Sequence, residues 1–383
     1  MITEIRNGEV IENGSVIKRS VFFEDGKITD ANKAADKVID ASGLYVSAGW
    51  IDLHLHGGNN FDFMDATEEA FESIALFHAR HGTTAMCPTT TSGDFDETRR
   101  VLDVFDRLQA GGHKGADFIG MHLEGPYFAD SQRGAQDPKY IHPPVKEEYE
   151  GLLKDYNGIV RWSSAPELDE SFAFSEYLTM HGVKVSAGHT DCSCATLLNA
   201  SGHGYKHMTH LYSCMKSVER KNGMRIAGAI EGAYLDDTIT VEIIADGMHL
   251  PQELIQLVFK LKGSHSIALI TDAMRGAGLP NGSTSFLGST EKGQKVYIEK
   301  GVAWLPDFQA FAGSVATYDR LIRTCVSFGI PLADAITSAT EAPARIIGAA
   351  NKGRLKAGFD ADIVIFDKAI NVQNVFIRGN EIQ

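Results

Sequence analysis

The chain has 383 residues, 43% of them hydrophobic and 22% charged, which is ample material for two domains or for one large barrel with an accessory piece. Its net charge of −14, from 36 basic against 50 acidic residues, repels a phosphate backbone and weighs against nucleic acid as a partner. No apolar run approaches the ~20 residues that span a bilayer, so no membrane partner is expected either.

The first 48 residues begin with MITEIRNGEV, which lacks the basic segment and continuous apolar stretch of a secretory signal, and the cytoplasm is the expected location. The remainder of this stretch reads as short strands punctuated by the turn signals ENGS and EDGK. From Gly49 the pattern changes. Eight short β-branched or apolar runs follow: 50–56 (WIDLHLH), 83–89 (TTAMCPT), 118–124 (FIGMHLE), 160–166 (VRWSSAP), 183–189 (VKVSAGH), 205–212 (YKHMTHLY), 239–246 (ITVEIIAD) and 267–272 (IALITD). Between them, stretches such as 66–82 and 168–182 carry apolar residues at three- and four-residue spacing and end at glycine, as helices do. Eight strand-plus-helix units predict an α/β fold, a closed (β/α)₈ barrel of TIM type. The end of the chain returns to β character in GFDADIVIFD and NVQNVFIRGNEIQ. The expected organisation is a catalytic barrel over 49–356 beside a small β-sandwich built from 1–48 together with 357–383, the two termini lying close. Cys87, Cys192, Cys194, Cys214 and Cys325 include no CxxC pair, and this odd set reads as free thiols.

The residues with chemistry fall at the C-terminal ends of the proposed strands, the face where such barrels keep their active sites. Strand one ends in His54-Leu55-His56, strand three in His122-Leu123-Glu124, strand five in His189, strand six in His210 and strand eight in Asp272. Side chains two apart on a strand share a face, so His54 and His56 can both enter the barrel mouth, and so can His122 and Glu124. By the same rule His207 and His210 face opposite ways, and only one of them can be a ligand. Imidazoles and carboxylates suit zinc, iron or a similar divalent ion that keeps a position open for water. Glu124, His189 and His210 would supply three ligands. His54, His56 and Asp272 would build a second site sharing Glu124, or would only shape the pocket, so one or two ions per subunit are accommodated. Any single histidine is more often a satisfied core or surface residue, and His78, His81, His113, His142, His181, His203 and His265 are read that way. Such an ion lowers the pKa of water toward ~7, and Asp272 would take the water proton and deliver it to the leaving nitrogen.

These residues lie in HLHGG, HLEGP, SAGHT, THLY, IADGMH and LITDA, which in this order resemble the N-acetylglucosamine-6-phosphate deacetylases of the amidohydrolase superfamily. The resemblance covers nearly the whole chain, from VSAGWIDLHLHG to GRLKAGFDADIVIFD. HLEGP and IADGMH are more specific to the deacetylases, whereas HxH and the terminal GFDAD segment are shared across many amidohydrolases. The resemblance implies release of acetate from an amino-sugar phosphate, with Glu124, His189 and His210 on the main metal and Asp272 as the catalytic acid and base. The HLH at 54–56 is similar to the version that holds two ions. Many related hydrolases bridge two metals with a carboxylated lysine on strand four; 160–166 offers no lysine, and Glu124 would do that work here. The resemblance further implies that His249 contacts a sugar hydroxyl and that Ala135 and Gln136, in RGAQDP, lie against the substrate. The Gln136 amide would stabilise the oxyanion formed at the acetamide carbonyl, and Phe311 of FAGS would wall the acetyl methyl.

One departure follows strand six. The family commonly continues THLY with Asn-Ala-Met, where the asparagine and nearby backbone hold the phosphate, but this chain reads Ser213-Cys214-Met215. Serine still donates a hydrogen bond, with shorter reach. The family's phosphate-gripping arginine, often from the neighbouring subunit of a homodimer, corresponds to one of Arg220, Lys221 or Arg225, with Arg220 preferred. The alternative substrates are another N-acetylhexosamine phosphate, such as the galactosamine form, or another N-acyl compound. A non-catalytic member of the fold would be expected to have lost ligands, and this chain retains every one.

Overall fold

The computed structural model describes residues 1–30 and 34–382; residues 31–33 and 383, which fall in the expected sandwich, lie outside the described residues. Eight parallel strands form the barrel: β1 (Trp50–Leu55), β2 (Thr83–Thr90), β3 (Met121–Glu124), β4 (Ile159–Ser164), β5 (Lys184–Ala187), β6 (Tyr205–Met208), β7 (Thr240–Ile244) and β8 (Ile267–Ile270). Each pairs in parallel with the next, from β1–β2 through to β7–β8. β1 and β2 are buried along their whole lengths, as strands covered on both faces must be. The seam between β8 and β1 closes just past the strand ends. There the Asp272 N–H donates to the His54 carbonyl (2.9 Å) and the His56 N–H to the Ala273 carbonyl (2.8 Å). Lower in the seam, the Asp52 carboxylate accepts from the Thr271 N–H (3.2 Å) and hydroxyl (2.6 Å). Closing the barrel therefore also locks His54, His56 and Asp272 into one register.

The helices form where capping and amphipathicity agree. Thr67 caps Glu68–Arg80 by accepting from the Ala70 N–H, Glu68 and Glu69 occupy its first turn, and Phe71, Ile74, Ala75 and Ala79 are its buried stripe. The expected run 118–124 is broken, since only Asp117–Phe118 and β3 are extended. Gly120 sits at the break because a Cβ there would collide with Val160.

Both ends of the chain meet in two sheets. One has the order Lys27–Thr29, Val21–Glu24, Thr3–Arg6, Lys37–Asp40; the other runs Asn380–Glu381, Val372–Ile377, Ile363–Phe366, Tyr45–Ala48, Glu9–Glu12, Ser15–Lys18. Ile5, Val21 and Phe23 from the first pack against Val10, Val46, Ile363 and Phe376 from the second, which makes the pair a sandwich. Gly49 carries the chain from this sandwich into β1, at a point where any Cβ would strike Thr84. All five cysteines are free.

Two elements were not expected from the sequence. After β8, Thr284–Leu287, Gln294–Glu299, Val302–Trp304 and Phe311–Ser314 form an antiparallel meander with its own small core of Met274, Leu287, Val296, Ile298, Ala303 and Ala312. Its last strand returns to the barrel mouth, where the Ser314 N–H donates to the Asp272 carbonyl (2.8 Å). The basic stretch after β6 is a hairpin of Glu219–Lys221 with Met224–Ile226, turned by Asn222-Gly223, both at positive φ (50° and 83°).

Sandwich and barrel are joined by an ion cluster in which the Lys352 Nζ lies 2.7 Å from Asp117 and from Asp362 and 3.1 Å from Asp360. Lys352→Met would leave these largely buried carboxylates without their cation. The expected outcome is a loss of about 3 kcal/mol, read as a lower urea midpoint at unchanged slope.

Candidate metal centre

Three of the polar residues expected at strand ends stand beyond them. β5 ends at Ala187, β6 at Met208 and β8 at Ile270, so the expected runs 183–189, 205–212 and 267–272 are each too long. The physical reason is backbone geometry: His189 (φ 48°), His210 (φ 29°) and Asp272 (φ 46°) all occupy the left-handed region. For a residue with a Cβ this costs about 1–3 kcal/mol and persists only where the surroundings enforce it. Just past β6, Thr209 points into the barrel, where Arg161 donates to its hydroxyl (3.0 Å). Strict alternation would turn His210 away, and the left-handed turn brings it back over the mouth.

The Nε2 atoms of His189 and His210 lie 3.2 and 3.1 Å from Glu124 Oε1, and 3.2 Å from each other. Beside them, His56 Nε2 is 3.3 Å from Asp272 Oδ1 and 3.4 Å from Glu124 Oε2, while His54 Nε2 is 3.3 Å from His56 Nε2 and 3.6 Å from Asp272 Oδ1. The structure thus brings together two donor sets, Glu124–His189–His210 and His54–His56–Asp272, all buried. Donors ~2.0–2.1 Å from a shared zinc-sized ion at tetrahedral angles stand ~3.3–3.4 Å apart, close to these separations. The tautomers agree with this. His189 Nδ1 donates to the Gln132 carbonyl (2.9 Å), so the neutral ring turns its Nε2 lone pair toward the other donors. Donors so placed need positive charge among them, from protons in the metal-free chain or from an ion, so the residues fit a divalent ion.

Charge tells the same story. Burial would raise Glu124 and Asp272, but the surrounding histidines outweigh it and hold Asp272 below, and Glu124 well below, the usual carboxylate range. Burial likewise opposes charge on His56, yet Asp272 and Glu124 prevail and push it up to about 10. In the metal-free chain that proton supplies part of the positive charge the carboxylates demand.

His122 does not reach the mouth beside Glu124. It lies deeper, bonded to the Ser163 hydroxyl (2.7 Å) and near Thr89 (3.2 Å), with its ring edge-on to His54 at 4.7 Å. His207 also lies inside the barrel, 2.7 Å from the Thr240 hydroxyl and 3.3 Å from Glu242, away from both donor sets.

Ala135, Gln136, Ser213, Cys214, His249 and Phe311 line one pocket above the donors. Gln136 is oriented by the Ser92 N–H, which donates to its Oε1 (2.9 Å), so that its Nε2 donates to Glu124 (2.7 Å). His249 Nδ1 is held by Asp246 (2.9 Å), and its ring meets Phe311 at 4.9 Å, which in turn packs on Trp304 at 4.5 Å. Arg220, Lys221 and Arg225 are exposed on the hairpin and are not among the residues lining this pocket. The sequence reading passed over Asp246, Arg161 and Glu242. Their signal was a charged residue inside an otherwise buried strand or at its end, as in VRWSSAP and VEIIAD.

A parallel eight-stranded barrel whose mouth gathers histidines and carboxylates around a pocket defines a hydrolase of the metal-using barrel class. The chain belongs to the amidohydrolase family, whose model matches residues 45–382. It is 31% identical over 387 residues to the N-acetylglucosamine-6-phosphate deacetylase of Lysinibacillus sphaericus, covering 98% of this chain and 96% of that protein. It is also 31% identical over 391 residues to the Bacillus subtilis (strain 168) enzyme of the same name, with 99% and 95% covered. Among solved structures, an alanine variant of the Mycobacterium smegmatis deacetylase in complex with N-acetyl-D-glucosamine-6-phosphate superposes with a TM-score of 0.90 at 25% identity, covering 100% of this chain and 99% of that one.

Because His56 is raised from its ordinary ~6.5 to about 10, it stabilises the metal-free chain fully below about pH 6.5, and that contribution fades as pH rises toward 10. An ion taken up on His56 must displace its proton. Calorimetry at neutral pH in buffers of different ionisation enthalpy is expected to report about one proton released as this set fills, with affinity rising up to about tenfold per pH unit. Heats independent of the buffer would refute this account of the charge.

Proposed function

We propose that the chain removes the acetyl group from N-acetyl-D-glucosamine 6-phosphate, yielding glucosamine 6-phosphate and acetate. The observation that carries this is the pair of donor sets sharing Glu124 beneath a pocket lined by His249 and Phe311, in a chain that spans nearly all of the deacetylases it resembles. In this reading 1–48 and 357–383 act as one supporting sandwich unit and 49–356 as the catalytic barrel.

Glu124, His189 and His210 would hold a divalent ion of the zinc or iron class, with His54, His56 and Asp272 set for a second, and such an ion supplies Lewis acidity and a nucleophilic water at neutral pH. The rest falls to the chain's own groups. Asp272 is held as a carboxylate by His54 and His56, so it accepts the proton of the attacking water and passes it to the departing nitrogen. Its backbone is clamped by His54 and Ser314, which limits its drift during that transfer. The Gln136 amide, aimed by Ser92, spends one N–H on Glu124, and its second would donate to the carbonyl oxygen as negative charge grows there. Asp246 fixes His249 through Nδ1 and leaves its Nε2 for a sugar hydroxyl, and Phe311 excludes water from the methyl side.

None of the described residues lining the pocket is Lys or Arg. Ser213 and Cys214 can donate to a phosphate but cannot neutralise it. In the proposed reading a cytoplasmic homodimer resolves this, the exposed Arg220–Arg225 hairpin of one copy reaching the site of the other. Among the described residues no helix is long and apolar enough to cross a membrane. The same lack of a cation favours a second reading, in which the substrate is a neutral N-acyl compound; Ser213-Cys214 after β6 carries the other alternative, a different N-acetylhexosamine phosphate.

Acetate release from N-acetylglucosamine 6-phosphate, its galactosamine epimer and plain N-acetylglucosamine decides between these readings, with the first expected to be fastest. Loss of that order in favour of the plain sugar would sink the phosphate assignment. Asp272→Asn is expected to lower kcat by roughly 10²–10⁴-fold while the ion on Glu124, His189 and His210 stays bound, which elemental analysis would check. Arg220→Ala is expected to raise KM about tenfold for the phosphorylated sugar and not for the plain one, a loss of ~1.4 kcal/mol in binding.

A further inference from the structure

Beneath the metal donors the barrel interior holds a charge pair. Arg161 on β4 and Glu242 on β7 are both fully buried. Arg161 uses all five of its N–H donors: to Ser186 (2.8 Å), to the Leu53 carbonyl (3.2 Å), to Thr209 (3.0 Å), and to each oxygen of Glu242, at 2.8 Å for Oε2 and closer for Oε1. A pair of this kind is expensive to desolvate, and apolar residues of similar volume are often as stabilising or more so. Apart from the polar groups that meet this pair, Ile51, Leu53, Ala85, Cys87, Ile244, Ala268 and Ile270 of the barrel strands pack together as an apolar cluster. Stability alone does not account for the pair.

Its position does. Glu242 Oε2 lies 3.4 Å from His54 Nδ1 and also 3.4 Å from the backbone N–H of His210, the residue on left-handed backbone. The Glu242 backbone carbonyl accepts from the Leu211 N–H (2.8 Å), which fixes the turn that carries His210. A carboxylate beside Nδ1 keeps the proton there and leaves Nε2 bare, and His54 Nε2 faces Glu124 Oε1 at 3.4 Å. His56 has no such support: its Nδ1 has no hydrogen-bond partner among the described residues. Of the two histidines on β1 and its end, only His54 is oriented from behind.

We infer that Glu242 is a positioning residue for the metal centre: clamped by Arg161, it fixes the tautomer and direction of His54 and thereby sets the affinity of the second ion. The inference rests on the reading of these donors as a metal centre. It assigns Glu242 no contact with substrate.

The test compares the wild-type chain with Glu242→Gln and with the double variant Arg161→Met/Glu242→Leu, which removes both charges at similar volume and so guards against a fold lost to an unpaired arginine. Each protein is stripped, reloaded with zinc and titrated against a chelator, with zinc per chain measured by elemental analysis and stability by thermal melting. The wild type is expected to take up two ions. The double variant is expected to melt at or above the wild-type temperature and to retain the ion on Glu124, His189 and His210. Its second ion should bind 10–100-fold more weakly, in the range typical of a lost partner behind a ligand, with kcat falling and KM little changed. A double variant that binds both ions with wild-type affinity overturns the inference and leaves the metal reading intact, as does a wild type that takes only one ion. A wild type that takes none overturns both.

Discussion

At the mouth of the barrel, imidazole nitrogens and carboxylate oxygens crowd one another. The Nε2 atoms of His189 and His210 stand 3.2 Å apart, those of His54 and His56 3.3 Å, with Glu124 between the two sets. In a site that excludes water this arrangement is stable only with positive charge at its centre, and much of the surrounding structure can be understood as what holds the donors there regardless. Left-handed backbone just past the ends of β5, β6 and β8 would relax if it were free to do so. It is not free. Asp272 is hydrogen-bonded through its N–H to His54 and through its carbonyl to Ser314, while His189 is tied through its ring to Gln132. The strain and the hydrogen bonds that oppose it fall at the same residues, which is how a site gains rigidity without a metal to impose it.

The next layer outward works by orientation rather than by contact with the donors' reactive faces. Ser92 turns the Gln136 amide toward Glu124, Asp246 turns the imidazole of His249, and Asp52 stitches Thr271 to the opposite side of the seam. Ser92, Asp246 and Asp52 are all buried; the carboxylates of Asp246 and Asp52 are spent on these neighbours, while Ser92 acts through its backbone N–H. The meander over 284–314 belongs to this layer too. Its last strand sets Phe311 against His249 and anchors Asp272 from above, so an element with a separate small core helps to hold the proposed acid and base.

The barrel was legible in the sequence because its strands are buried on both faces and read as continuous apolar runs, and because polar residues at their ends interrupt those runs in a regular way. The histidine and carboxylate positions followed from that. What could not be read was geometry set by distant partners. Alternation separates His207 from His210 but cannot say that both end up on the barrel side, since that depends on a left-handed turn which no local propensity favours in a histidine. His122 fits the mouth by spacing, yet Ser163 and Thr89 draw it downward. The meander was missed because its strands are short and half exposed: Thr284–Leu287 alternates exposed and buried, a signal easily lost among the glycines around it. Arg161 and Glu242 were visible as charges inside apolar strands but lie 81 positions apart, and only the closed barrel brings them together.

That pairing bears on the electrostatics of the whole site. A buried arginine directly below a divalent ion would repel it, and the same cation, together with burial, already holds His122 well below its ordinary value. Glu242 stands between Arg161 and His54, so the column rising through the barrel runs guanidinium, carboxylate, imidazole and then the carboxylates of Glu124 and Asp272. Each carboxylate in this column stands beside a cation or an imidazole, which is the lower-energy way to place negative charge in a medium of low dielectric. Burial raises Glu242, but Arg161 and the histidines outweigh it and keep it well below the usual carboxylate range, so the column keeps its sign at neutral pH. The charge pair in the barrel is therefore the lower end of the same electrostatic structure whose upper end is the two donor sets.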